Sequence, residues 1–385
     1  MNLITDTDSL KNAINLLSQS DFVTVDTEFH RETTFWPELC LIQIASLETT
    51  ALIDPLARNM DLRPFFELMA NKQILKIFHA ARQDIEIIFQ IGQLIPQPLF
   101  DTQIAAMVCG YGDSISYDIL VSKITGHHID KSTRFTDWSK RPLTEKQLRY
   151  ALADVTYLRD VYLSLHNKLQ KAGRSSWMNE ETSVLTAEET YILLPEVAWK
   201  RVKGRVRKPR EYVILQKIAA WREQEARQRN LPRRRILKDE TLIEIAIQQP
   251  KDRASLANLR TLPKGYERSS SVDKLLKSVE EGLSIPQESL PKLEVHIPQN
   301  ETNKSEVDIL KLLLKLVTEE NNVAGKIVAT ADDITKIVLQ KEKADIPAMH
   351  GWRFDMFGKK ALNMLKGRIG IKFDHGKIRL FEIRD

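Results

Sequence analysis

The stretch Asp21-Phe-Val-Thr-Val-Asp-Thr-Glu-Phe-His30 decides the fold. Phe22, Val23 and Val25 form an apolar, β-branched run, which predicts a buried strand over residues 22–28. Side chains on a strand return to the same face every second residue, so Asp26 and Glu28 project to one side of one rigid element. Two carboxylates held that close repel each other and are costly to bury unpaired. A divalent cation on that face relieves the conflict, and an all-oxygen donor set suits Mg²⁺ or Mn²⁺ better than zinc. The alternative from this triplet alone is a pair of acids at a strand end facing water.

Outward from this strand, the pattern over residues 1–170 is strands followed by helices. Further strands are expected at 39–45, 50–53 and 74–78, the first joined to its neighbours by short connections, as in an antiparallel meander. Helical patterns cover 61–70, 81–90, 101–108, 117–124 and 144–169, the last opened by a capping box in which Thr144 is followed three residues later by Gln147. Strands with helices on their faces give an α/β layer architecture. Residues 171–206 read as a helical connector ending in a basic run, with seven Lys or Arg and no acid between Lys200 and Arg210. Residues 207–285 lose the strand pattern and read as a small helical domain punctuated by Pro232, Pro250 and Pro263. Residues 286–304 are proline-rich and polar, a linker. Residues 305–385 read as a last module of three helices with a hairpin around Asp374-His375-Gly376-Lys377.

A chain of 385 residues has room for two or three domains, and 42% apolar with 28% charged residues is the composition of a soluble globular protein. No apolar run reaches the ~20 residues a bilayer requires. Cys40 and Cys109 lie in apolar segments without metal-ligand spacing and read as buried small hydrophobes, which fits a reducing cytoplasm.

Two more acids stand in telling contexts. A buried strand ends at Phe78, and His79 leads into a helix carrying Asp84. On the helix from Thr144, Tyr150 and Asp154 are four residues apart, on one face and about 6 Å apart along the axis. Among Leu148, Leu152 and Val155 that carboxylate needs a partner, which the face of Asp26 and Glu28 would supply. Each acid alone also reads as a cap, a surface group or the partner of a nearby base.

Asp26-Thr-Glu28, then His79…Asp84, then Tyr150-Ala-Leu-Ala-Asp154, in this order, resemble the three motifs of the four-carboxylate 3′→5′ exonucleases, in the branch with a tyrosine in the third motif. The segments around Phe29–Ala45 and Thr136–Leu143 narrow the resemblance to the ribonuclease D family, and 207–285 is similar to its helicase-and-ribonuclease-D C-terminal (HRDC) domain. Residues 305–385 could be a second, divergent copy, although the hairpin ending departs from an all-helical one. The resemblance implies a ribonuclease-H-like α/β exonuclease domain followed by mainly helical domains. It implies hydrolysis with two divalent cations, Mg²⁺ or Mn²⁺, trimming the 3′ ends of tRNA precursors in the cytoplasm and releasing nucleoside 5′-monophosphates. Asp26 would bridge both cations, Glu28 and Asp154 would hold the one that carries the attacking water, and Asp84 would support the second, largely through water. Tyr150 would orient the attacking water. Substrate contacts are expected from Thr27, His30, Arg31, His79, Gln83, Trp138 and Arg141, and from the basic run at Lys203, Arg205, Arg207 and Lys208, with a monomer acting on single-stranded 3′ ends. For His30 and Arg31 a solvated loop, for His79 a local hydrogen-bond partner, and for Trp138 and Arg141 a loop-ordering role stand beside the substrate reading. Phe29, Phe35 and Trp36 read as core, with base stacking as the other reading, and Gln43 as a buried polar group in need of a partner. A DNA exonuclease and an inactive RNA-binding scaffold are the alternatives.

Overall fold

Six strands build one sheet: β1 (Leu3–Ile4), β2 (Phe22–His30), β3 (Glu38–Ala45), β4 (Thr50–Ile53), β5 (Leu75–Phe78) and β6 (Leu99–Asp101), in the order β1-β4-β3-β2-β5-β6. The computed structural model describes residues 3–291 and 304–383, so most of the linker expected at 286–304 lies outside the described residues. The β2-β3-β4 meander is antiparallel as the short connections require, while β5 and β6 continue the sheet parallel to β2. β1 and β6 escape the sequence pattern because two and three residues carry no measurable alternation. Phe22 to His30 stay extended past the expected end at residue 28, and a register shift between Glu28 and Phe29 turns the strand just beyond the second acid.

The helices α1 (Thr7–Leu17), α2 (Arg63–Ala70), α3 (Arg82–Gly92), α4 (Thr102–Val108), α5 (Tyr117–Thr125) and α6 (Glu145–Lys171) cover the sheet. The capping box forms: the Gln147 amide donates to Thr144 Oγ1 at 3.3 Å and the Thr144 amide to Gln147 Oε1 at 2.9 Å. The hydroxyl of Thr24, fully buried on β2, donates to the carbonyl of Val155 at 2.8 Å, which holds α6 against the sheet face that also carries Asp26. On the opposite face Thr27 meets α3.

After α7 (Trp177–Thr186) the chain enters a second core formed by α8 (Pro209–Gln228), α9 (Arg233–Ile236), α10 (Asp239–Gln248), α11 (Arg253–Ala257) and α12 (Val272–Leu283). This core takes in Phe35, from the β2–β3 connection, and Asn230 Oδ1 accepts the backbone amides of Phe35 and Trp36, both at 3.1 Å. Phe35 is core, as expected, and Trp36, half-buried, packs against it, but the core is that of the helical domain. The last segment comprises α13 (Lys304–Asn321), α14 (Gly325–Val328), α15 (Ala331–Gln340), α16 (Gly351–Arg353) and α17 (Lys359–Leu365). A hairpin of β7 (Ile369–Asp374) and β8 (Lys377–Glu382) follows. His375 and Gly376 form its two-residue turn, both with positive φ (48° and 78°). The apolar faces of α13, α15 and α17 pack into the same core as the sheet. No helix among the described residues is long and apolar enough to cross a membrane.

Candidate active site

β2 and α6 bring three acids together: one oxygen each from Asp26, Glu28 and Asp154 lie within 4.8 Å of one another. They line an open cleft of about 560 Å³ that also takes in Asp84, Tyr150, His79 and Gln83. Asp84 reaches the cleft from α3, on the far side of β2, where the Thr27 hydroxyl donates to its Oδ1 at 2.5 Å. Thr27, which also lines the cleft, thus orients the Asp84 carboxylate with its hydroxyl.

The aim of α3 depends on Asp101, which the sequence reading left as a helix residue. Its carboxylate accepts the amides of Ala80 (3.1 Å), Ala81 (2.9 Å) and Gln103 (2.7 Å). It caps α4 and also pins the turn before α3, where Ala80 takes a φ of 58° that a non-glycine residue rarely adopts. This second duty joins β6 to the β5–α3 turn and is visible only in three dimensions.

The electrostatics are those of an anionic cluster short of countercharge. Burial raises the Asp26 carboxyl well above its ordinary range, and the charges of Asp84, Asp154 and Glu28 raise it further. Burial, then Asp154 and Asp84, push Glu28 up to about 9, against the pull of Arg134. Asp154 is raised to about 8 by burial, opposed by the Tyr150 hydroxyl, Arg134 and Lys131, and Asp84 to about 7 by burial, opposed by the Thr27 hydroxyl. The Tyr150 hydroxyl lies beside Asp154 in the cleft and is itself raised, first by burial and then by the surrounding acids, so it stays protonated at neutral pH. An all-oxygen group of acids that resist ionising side by side is a donor set for a hard divalent cation. Arg134, Lys131 and the neighbouring Phe135, 90% exposed at the lip of the cleft, were missed by the sequence reading. Their only signal was a basic–aromatic cluster in the loop before the third motif.

Several expected substrate residues are committed elsewhere. His79 spends both ring nitrogens: Nε2 lies 3.2 Å from the Ile115 carbonyl and Nδ1 3.0 Å from Thr102 Oγ1. A carbonyl only accepts, so Nε2 carries the proton, and burial lowers the ring's pKa and keeps it neutral. The local hydrogen-bond reading holds for His79. Arg31 pairs twice with Glu86 at 2.8 Å outside the carboxylate cleft, and the His30 ring lies 3.4 Å from the Thr33 hydroxyl. Trp138 is 4% exposed, packed with Leu143 and Ala151, and its ring backs Tyr150 at 6.1 Å. Arg141 grips Asp54 with two bonds of 2.5 and 2.6 Å and the Cys40 carbonyl at 2.7 Å. Both order the loop that leads into α6. Arg141→Gln is accordingly expected to destabilise the protein by about 3 kcal/mol through the unpaired, buried Asp54, measured by urea unfolding. A raised KM with unchanged stability would restore the substrate role.

Gln83 stays exposed in the cleft, and Lys203, Arg205, Arg207 and Lys208 are exposed before α8, away from the cleft wall. Farther along the chain, Arg222, Arg227 and Arg233 are held internally by Asp239 and Glu223. Gln43 pairs with Asp26 in register and is fully buried, yet among the described residues neither of its amide atoms has the partner expected for it.

The sheet order, the acidic triplet and the tyrosine on α6 define a 3′→5′ exonuclease with a ribonuclease-H-like domain. Comparison bears this out: the family model for 3′-5′ exonucleases matches residues 1–170 and that for the HRDC domain residues 212–277. Ribonuclease D of Bartonella henselae is 59% identical over 98% of this chain and 93% of its own length, and that of Nitrobacter hamburgensis 49% identical over 98% of each. The crystal structure of Escherichia coli RNase D, described as an exoribonuclease involved in structured RNA processing, superposes with a TM-score of 0.83. It is 29% identical, with 95% of this chain and 99% of that one covered. The chain belongs to the ribonuclease D family and is a hydrolase, a 3′→5′ exoribonuclease.

Proposed function

We propose that this exoribonuclease trims the 3′ ends of tRNA precursors and releases nucleoside 5′-monophosphates, with two divalent cations, Mg²⁺ or Mn²⁺, held by Asp26, Glu28, Asp84 and Asp154. The observation that carries the reading is the triplet of carboxylate oxygens within 4.8 Å. When bound, the cations supply an activated water and stabilise the leaving 3′-oxygen. Asp26, close to both Glu28 and Asp154, would hold the cations together with them. Asp84, whose Oδ1 accepts from Thr27, would add its carboxylate from α3. Tyr150, protonated and beside Asp154, would position the attacking water without being its base. Arg134 and Lys131 draw the anionic strand toward the acids, and Gln83 touches it at the rim.

In this reading residues 1–170 form the catalytic domain and 171–206 a connector. Residues 207–285 form the RNA-holding HRDC-like domain, with the 286–304 linker leading to a small α+β C-terminal domain at 305–385. The protein acts as a monomer in the cytoplasm, in keeping with two buried free thiols.

The test is a 5′-labelled tRNA with a short 3′ extension, incubated with Mg²⁺, Mn²⁺ or EDTA beside a DNA strand of equal length. A metal-dependent ladder shortening from the 3′ end and halting near the mature terminus is expected. Digestion running through the mature end removes the tRNA-trimming role, and preference for DNA overturns the substrate.

A further inference from the structure

A second cavity, of about 660 Å³, lies where the β2–β3 connection meets the helical domain. Its walls come from α3 and that connection on one side, and from α8, α9 and the segment around Tyr191 and Arg201 on the other. Gln83 borders both this cavity and the carboxylate cleft, so the two spaces adjoin. Five guanidinium groups line it, those of Arg31, Arg82, Arg201, Arg227 and Arg233, against the carboxylates of Glu86 and Glu223.

The pairing of these charges is uneven. Glu86 is taken by Arg31 through both oxygens, and Glu223 is shared by Arg227 and Arg233. Among the described residues Arg82 and Arg201 have no carboxylate partner, and both are accessible. The Arg201 guanidinium is pushed down, first by burial and then by the charge of Arg233. That is the field of a site lacking an anion. A solvated seam between two domains is the plain alternative, and it needs no excess of arginines over carboxylates on facing walls. The Phe89 and Tyr191 rings, 6.0 Å apart between centroids, add flat apolar surface of the kind on which bases stack.

We propose that this inter-domain cavity seats the phosphodiester backbone of the RNA on the 5′ side of the nucleotide being removed, with Arg82 and Arg201 as its phosphate ligands. The proposal rests on the exoribonuclease assignment and extends it with a path: a strand whose 3′ end lies at Asp26, Glu28 and Asp154 passes Gln83 and enters the cavity. Point charges on a phosphate backbone give affinity and salt dependence without sequence preference.

The test uses the full-length protein with the double variant Arg82→Gln/Arg201→Gln. Binding of a fluorescent single-stranded RNA of roughly 12 nucleotides is followed by anisotropy in EDTA across a KCl series, so the readout does not depend on catalysis. The slope of log Kd against log salt is expected to flatten by about 0.7 per arginine, and Kd at low salt to rise at least roughly tenfold. In Mg²⁺, the wild-type preference in kcat/KM for that RNA over a dinucleotide is expected to shrink by a similar factor. An unchanged slope and Kd in a variant with wild-type melting temperature overturns the proposal. So does a slope that flattens only when Lys203, Arg205, Arg207 and Lys208 are neutralised, because the backbone then runs over the outer face. If wild type binds the RNA but releases no nucleotides, the exoribonuclease assignment fails while the salt slopes still decide the seat.

Discussion

Asp26→Asn is expected to lower kcat on single-stranded RNA by at least about 10³-fold, roughly 4 kcal/mol of transition-state stabilisation, and at the same time to raise the melting temperature of the metal-free protein. The two effects have one cause. Asp26 is desolvated within the fold and stands in the field of Asp84, Asp154 and Glu28, so its ionised form is strongly disfavoured without a cation. All four folded-state pKa values lie above those of the unfolded chain, with Asp84 at about 7, Asp154 at about 8 and Glu28 at about 9. Between an unfolded value of about 4 and these values the native state binds more protons than the unfolded one, so metal-free stability falls as pH rises through that window. The asparagine removes one charge from the cluster, so its stabilising effect should be small near pH 5 and grow toward pH 9. Mg²⁺ should stabilise wild type increasingly over the same range, because the cation binds the folded, ionised site. Melting curves at several pH values with EDTA or Mg²⁺ check both signs. A variant that is inactive yet melts below wild type at pH 9 in EDTA would show that Asp26 is held by partners other than its neighbouring acids.

The second large effect is expected far from the acids. Arg353→Ala should destabilise the protein by about 3 kcal/mol and lower the hydrogen-exchange protection of α13 to α17. Arg353 is 1% exposed. Its guanidinium donates to Glu180 and Glu181 on α7 and, at 2.7 Å, to the Ile327 carbonyl. Beside it Trp352 stacks on Trp177 with centroids 4.1 Å apart and planes within 2°. Breaking a fully buried pair costs about 3–5 kcal/mol. Here the glutamate side chains keep 53% and 33% of their exposure, so water partly replaces the lost arginine and the lower end applies. The consequence reaches the active site through contact. The Ala324 amide donates to the Met107 carbonyl at 2.9 Å, and Lys326 bonds through its backbone to Asp113 and through Nζ to Ser114, which lines the carboxylate cleft. Gly110, at a φ of 79°, lets Asn322 approach to where a Cβ would lie 2.4 Å from its Oδ1. Unchanged melting and unchanged exchange in Arg353→Ala would mean that the other contacts hold this segment in place by themselves.

Much of the site was legible in the linear chain because its signals are local. Period-two alternation around Asp26 and Glu28, the four-residue spacing of Tyr150 and Asp154, and the Thr144–Gln147 box each depend on neighbours within a turn or a strand. The structure realises all three. The hairpin at His375-Gly376 is legible for the same reason, since a two-residue loop between alternating strands calls for positive φ, which both residues take here.

What the chain alone left open is the choice of partners. Arg141 and Asp54 are 87 residues apart, and Arg353 and Glu180 173. No pattern of spacing tells a buried arginine that orders a loop from an exposed one that awaits phosphate. The same holds for Arg222 and Arg233, which are neutralised by Asp239 and Glu223, whereas Arg82 faces a cavity with no carboxylate partner among the described residues. The sequence determined by itself the strand, the helices and the acids they carry, because short-range geometry places them. Only the tertiary structure decided which charges remain free for a ligand, because each carboxylate is claimed by whichever cation the packing of distant elements brings within hydrogen-bond reach.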